Sequence, residues 1–225
     1  MNGKTRFDLS RRFSRHASLG LAVALGALGF LRAAHGQDQC GALTNAFGPF
    51  DYSDPLTHTP AKLGIVEGAH FTPEVEQLVR GASSVNPLDD LDYTLRAFPN
   101  HHRALYSLAK YYLKFPNVRG RYSLDCWFER AARFNSSDGV VPAIYGVYLA
   151  KKGERNQALE QYQKAIELLP DFAEAHYNLG LLYIDLKKYD LANQQAGIAY
   201  KLGFPLPGLR KRLQELGAWN PAAAE

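Results

Sequence analysis

With 225 residues, 46% of them hydrophobic and 21% charged, the chain has room for one globular domain plus a tail and is too apolar to be disordered throughout. Its pI of about 9.0 does not argue for nucleic acid, because six basic residues (Lys4, Arg6, Arg11, Arg12, Arg15 and Arg32) crowd into residues 1–36 beside one acid, Asp8. Taking these from the 26 basic and 22 acidic residues leaves 20 against 21, so the remainder lacks the basic surface that nucleic-acid binding needs.

Residues 1–36 read as an export signal. A basic start with Arg11-Arg12 and Arg15 precedes an apolar run from Ala17 to Leu31, and Ala34-His35-Gly36 supplies small residues where a signal peptidase tests them. Cleavage after Gly36 would expose Gln37. An uncleaved anchor is the alternative, but 15 residues diluted with Gly and Ala are short for a hydrocarbon core of about 30 Å. The twin arginines leave both general and twin-arginine export open. The expected location is the periplasm, with no stable membrane span after cleavage.

An oxidising destination changes how the two cysteines read. Cys40 and Cys126 are expected to pair and tie the arm to a helix, the alternative being two separate thiols. Residues 37–71 form that arm. They are rich in Gly, Pro, Asp and Thr, and carry Phe47, Phe50 and Tyr52 without a period. Aromatics in such a segment pack on something, and the folded region behind is the nearest candidate.

Helical signals begin at Thr72-Pro73-Glu74, with a cap, Pro at the first helical position and an acidic first turn. That helix is expected to end near Gly81, and a second to run from Asn86-Pro87 to Pro99. Residues 72–101 therefore read as a degenerate helical pair. Residues 102–205 are more regular. In the last copy Leu179-Gly180 and Tyr183 are followed by Ala192, Ala196 and Ala199; one period of 34 residues earlier stand Tyr145-Gly146, Leu149, Ala158, Tyr162, Ala165 and Pro170. Leu108-Ala109, Tyr112, Leu124, Phe128 and Ala131 form a fainter copy. Small residues at that period mark helix–turn–helix units whose helices approach closely. Residues 206–217, with Leu209, Leu213 and Leu216 on one face, suit a terminal capping helix, and 218–225 a loose tail.

This pattern resembles the tetratricopeptide repeat family. The resemblance is clearest over 139–204, fainter over 100–138 and 72–99, and does not reach 37–71. Pro142 and His176 replace the usual Trp of the first helix, and Phe204 stands where Pro is expected. It implies an all-α fold, a right-handed α-solenoid with an irregular N-terminal arm, acting as a protein–protein interaction module whose first helices line a concave wall. The face left over from packing presents Arg103, Tyr106, Lys110 and Lys114, then Val147 and Lys151, then Tyr177, Leu181 and Asp185. These are the expected partner-binding residues, with the acidic part of a polypeptide towards the lysines and Arg103. The alternatives are a merely solvated face, or a groove filled by the arm's own aromatics. Asn178 has no matching Asn in the neighbouring units, so the carboxylate clamp of some family members is not expected.

No Gly-rich phosphate loop, Gly-x-Ser-x-Gly or Cys-x-x-Cys-His motif occurs, so neither an enzyme nor a cofactor is expected. His101 and His102 are adjacent and lack a ligand four residues on, and His176 falls in a packing slot. His58 and His70 in the arm carry the alternative function, an accessory protein binding a small ligand or a metal.

Overall fold

A computed structural model describes residues 40–224. The export segment 1–36 and the cleavage at Gln37 lie outside the described residues. The described chain is all-helical, as the sequence pattern requires. The arm from Cys40 runs extended through one 3-10 turn, Pro55–Thr57, and a π-turn, Pro60–Gly64. It then forms a short helix that the sequence did not announce, α1 (Ile65–His70). Next come α2 (Pro73–Glu76) and α3 (Pro87–Ala97). Three helix pairs follow: α4 (His102–Lys114) with α5 (Leu124–Phe134), α6 (Val140–Lys152) with α7 (Arg155–Leu168), and α8 (Ala173–Asp185) with α9 (Tyr189–Lys201). α10 (Gly208–Glu215) ends the stack.

Small residues set the packing of the repeats. A Cβ on Gly146 would lie 2.7 Å from the Tyr162 ring, and one on Gly180 would lie 2.5 Å from Leu209. Ala158, Ala165, Ala192, Ala196 and Ala199 are fully buried at the contact points. α7 packs on α8, while α4 packs on α6 and α6 on α8, so the first helices stand side by side along one wall. The last two pairs each turn through a left-handed residue. Gly153 takes that conformation at φ +89° without steric cost, but 34 residues on the same place is held by Lys187 at φ +58°.

Three expectations need correction. α2 is a single turn, not a helix reaching Gly81, because Leu78 at φ +58° diverts the chain. The diverted loop wraps the buried Asp90, which accepts from the Ala82 N–H at 2.8 Å and from the Ser83 N–H and hydroxyl. Burial alone would raise this carboxyl; the bonds from Ser83, His70 and Ala82 outweigh it and hold it below its ordinary value. Asp90, in the first turn of α3, therefore organises a loop as well as favouring the helix dipole. Secondly, Asn156, which beside Gly153 reads from sequence as punctuating the turn between α6 and α7, lies inside α7. Thirdly, the tail is not loose. Asn193 donates to the Ala218 carbonyl at 2.8 Å and accepts from the Asn220 N–H at 2.8 Å, which holds a 3-10 turn, Pro221–Ala224, against α9.

The arm is fastened at both ends. Cys40 and Cys126 are joined, with Cα atoms 5.0 Å apart across 86 residues of sequence. Beside the bond, the buried Arg130 donates to the carbonyls of Cys40 and Ala42, both at 2.8 Å, and of Gly41 at 3.2 Å. Farther along, the Phe50 N–H donates to the Ala97 carbonyl at 2.9 Å. Gly48 makes this contact possible: it sits at φ +92°, and a Cβ there would meet Ala97 O at 2.4 Å. Phe50 packs on Phe98 with ring centroids 5.4 Å apart, and Tyr52 on His101 at 4.1 Å. The arm aromatics thus lie over the α3–α4 corner.

Candidate binding groove

α4, α6 and α8 enclose a groove of about 350 Å³. Its floor is apolar: Val140, Ala143, Ile144 and Val147 from one face of α6, Tyr106 from α4 and Phe172 just before α8. This face is formed by residues three and four apart, which helical geometry brings into one line. Polar groups form the rim: Glu76, His102 and Arg103 on one side, Glu174 and Asn178 on the other. None of Phe47, Phe50 and Tyr52 lines it, so the arm leaves the groove open.

Arg103, Tyr106 and Val147 therefore stand where the sequence placed them. Lys110 lies beside them with its ammonium 4.9 Å from the centre of the Tyr106 ring. Lys114 and Lys151 lie near the C-terminal ends of α4 and α6, Lys114 over the Phe115 ring at 5.3 Å. On α8 the expectation fails. Tyr177 is only 8% exposed, packed on Phe204 with ring centroids 4.3 Å apart, and a Cβ on Gly208 would meet its hydroxyl at 2.6 Å. Burial pushes its phenol up. Asp185 is paired with Arg212 at 2.9 Å, and Leu181 is half-buried against the core. The physical reason is α10: it lies across the face of α8 that earlier repeats leave to the wall. Glu174 and Asn178 take the places expected for Tyr177 and Leu181.

Charge on the rim also differs from expectation. Arg103 is already engaged, with Nε and Nη2 donating to the Glu76 carboxylate at 2.8 and 2.5 Å, and Nη1 to Glu67 at 3.2 Å. The bonds to Glu76 raise the guanidinium's affinity for its proton, and the same bonds depress Glu76. Glu67 is depressed first by its hydrogen bond from His101. Two carboxylates thus share one guanidinium. Glu174 is exposed and has no ion-pair partner among the described residues.

Behind the rim lies a buried polar junction that sequence reasoning missed. His101 caps α4, accepting at Nδ1 from the Ala104 N–H at 3.2 Å, so its Nε2 carries the proton donated to Glu67 at 3.1 Å. Burial outweighs Glu67 and holds His101 below its ordinary value. Asp138 accepts from Asn100 at 2.8 Å and His102 at 2.7 Å while capping α6 through the Val140 N–H. Asn100 and Asn135 both donate to Asp51 of the arm, at 2.7 and 2.9 Å. The Asn100-His101-His102 run was the available signal: three polar residues where a helix starts. His176, by contrast, is the core residue expected, 4% exposed and bonded to Gln195 and the Pro170 carbonyl.

The histidines of the alternative reading do not converge. His58 bonds the Tyr52 carbonyl at 2.7 Å, while His70 bonds Asp90 and stacks on Tyr93 at 3.9 Å. Among the described residues no cluster of three His, Cys, Asp or Glu could hold a metal, and no helix is long and apolar enough to cross a membrane.

A family model described as TPR repeat matches residues 148–187, from the end of α6 to the turn before α9. Residues 148–187 thus carry a tetratricopeptide repeat. A curated relative, the peroxisomal targeting signal receptor of Saccharomyces cerevisiae, is 36% identical over 59 residues. That stretch is 26% of this chain and only 10% of the relative's length. Similar solved structures include MamA (22% identity, 62% of this chain and 78% of that one, TM-score 0.43). A second is pilF of Pseudomonas aeruginosa (19%, 70% and 70%, 0.48). A third is a thermophilic TPR protein of Thermus thermophilus (22%, 71% and 77%, 0.45). A repeat of this kind supports a scaffold for protein–protein interaction.

Proposed function

We propose that this scaffold works in the periplasm and binds a polypeptide segment along the groove of α4, α6 and α8. The observation that carries the reading is the groove itself, an apolar floor some 350 Å³ in volume crossing three successive first helices and left open by the arm. Burying an apolar side chain there stabilises a complex by about 25 cal/mol per Å² removed from water, before the costs of association. The export reading is supported by the basic-then-apolar start of the sequence and by the Cys40–Cys126 bond, since disulfides persist in oxidising compartments.

Two measurements test the two halves. A partner captured from the native host in stoichiometric amount should be retained by the wild type and lost by Val147→Trp, which fills the groove; equal capture by both would reject the groove. Fractionation of the native host with N-terminal sequencing should find a chain beginning at Gln37 in the soluble periplasm. An intact Met1 in the membrane or cytoplasmic fraction would reject the location.

A further inference from the structure

The groove has a charge preference. We infer that its partner is a basic–apolar segment, one large aromatic or branched apolar side chain with Lys or Arg within about one helical turn of it. This inference rests on the groove reading above. It reverses the polarity expected from sequence alone, where Arg103, Lys110 and Lys114 pointed to an acidic partner.

The reversal follows from what Arg103 touches. Its five N–H donors are the groove's best anion site, but three of its nitrogens are committed to Glu76 and Glu67. An incoming carboxylate would have to displace one of them, and would then sit beside the carboxylate it displaced. Across the floor stands Glu174, exposed and without an ion-pair partner among the described residues. Of the carboxylates and guanidinium lining the groove, Glu76 and Glu174 stand against Arg103 alone; behind them Glu67 also holds Arg103, and Lys110 lies over the Tyr106 ring. That leaves one negative charge over, and the carboxylate without a partner is the one on the α8 rim.

The floor explains why charge alone does not define the partner. Val140, Ile144, Val147 and Phe172 offer no polar side-chain atom, so whatever enters must be apolar to be worth desolvating. A cationic side chain next to such an anchor can lay its methylenes on the floor and keep its charge at the Glu174 rim. A glutamate in the same place gains neither contact. Rim charge of this kind acts mainly on association rate and partner choice, whereas the apolar anchor sets how long the complex lasts.

The test uses a phage-displayed random library of 12-residue peptides, selected on the disulfide-intact protein, with binders resynthesised and titrated. Enriched sequences should combine an aromatic or branched aliphatic residue with Lys or Arg. Their affinity should fall about threefold to tenfold for Glu174→Lys, more at low salt than at high, and should be lost with Val147→Trp, whose fold is verified by circular dichroism. Enriched sequences that are acidic or uncharged, or that bind Glu174→Lys as tightly as wild type, would overturn the charge preference while leaving the groove in place. A library that yields no binder, or only binders indifferent to Val147→Trp, would overturn the groove reading and this inference together.

Discussion

The two halves of the described chain are held together by different physics. From Val140 to Lys201 the helices interlock through small residues: fully buried alanines and two glycines whose neighbours stand closer than a Cβ allows. Partners there lie within a repeat or in the element that follows it. From Cys40 to His70 the chain contributes only to a small apolar cluster, Leu63 and Val66 with Ala97 and Phe98 and the arm aromatics around them, whereas Phe71, Val75, Leu88, Leu91 and Leu95 already join the main core. What fixes that region is a covalent bond, a buried arginine gripping carbonyls some 90 residues away, and the Asp51–Asn100–Asp138 junction. The contrast shows where stability can be lost without losing the repeats. Polar and covalent ties can be cut one at a time, whereas an interlocked stack fails cooperatively.

The largest effect is expected from cutting the covalent tie. Replacing Cys40 and Cys126 by Ser frees a loop of 86 residues' separation and should cost about 2–5 kcal/mol, less to the extent that the arm stays ordered without it. Limited proteolysis should then cleave within residues 41–60 while the helical signal of the repeats persists. Simultaneous loss of both would erase the distinction between the regions. Next in size is Gly146→Val, which drives methyl groups into the Tyr162 ring and should cost about 1–3 kcal/mol as overpacking, lowering the midpoint of the repeats. An unchanged midpoint in urea would mean that close approach at this glycine is not what sets the packing.

Acid separates the regions by charge. His101 is held below its ordinary value of 6.5, chiefly by burial, so as pH falls through 6.5 the unfolded segment takes up a proton first and stability is lost from there downward. Asp51, Glu67 and Asp90 are held below ordinary values of 3.8, 4.5 and 3.8. Their contribution is full above those values and disappears as pH drops through the still lower folded ones. Both effects have the same sign and both sit in the arm region. Amide exchange measured at pH 7.5 and 5.5, corrected for intrinsic rates, should show residues 45–60 losing protection while 175–200 keep theirs.

The smallest change sharpens the comparison from the repeat side. Lys187→Gly relieves a left-handed residue where the preceding turn has Gly153 and should stabilise by about 1 kcal/mol in thermal unfolding.

The same contrast decides what could be read from sequence. Gly146, Gly180, Ala158 and Ala192 announce their roles because each repeats at 34 residues and packs on something close in the chain. The Cys40–Cys126 pair was legible because the chain has two cysteines behind an export-like start. Asp90, Asn100 and Asp138 were not, because their partners are set by loops that have no period. Tyr177 shows the limit at the groove: its spacing matches the wall, but α10 covers it, and coverage by a neighbouring element is a tertiary fact that helical spacing does not encode. Arg103 was placed correctly and its charge misjudged, since Glu67 and Glu76 belong to helices α1 and α2, one unannounced and the other far shorter than expected.

The central claim is that a polypeptide lies over α4, α6 and α8. Its most direct test is photo-crosslinking in the native host with a benzophenone amino acid replacing the exposed Tyr106 at the groove's α4 side, or placed at position 161, in a second hollow of about 290 Å³ between α5 and α7. The account predicts a discrete crosslinked protein from position 106 and none from 161. A partner captured from 161 alone, or equally from both, would contradict it.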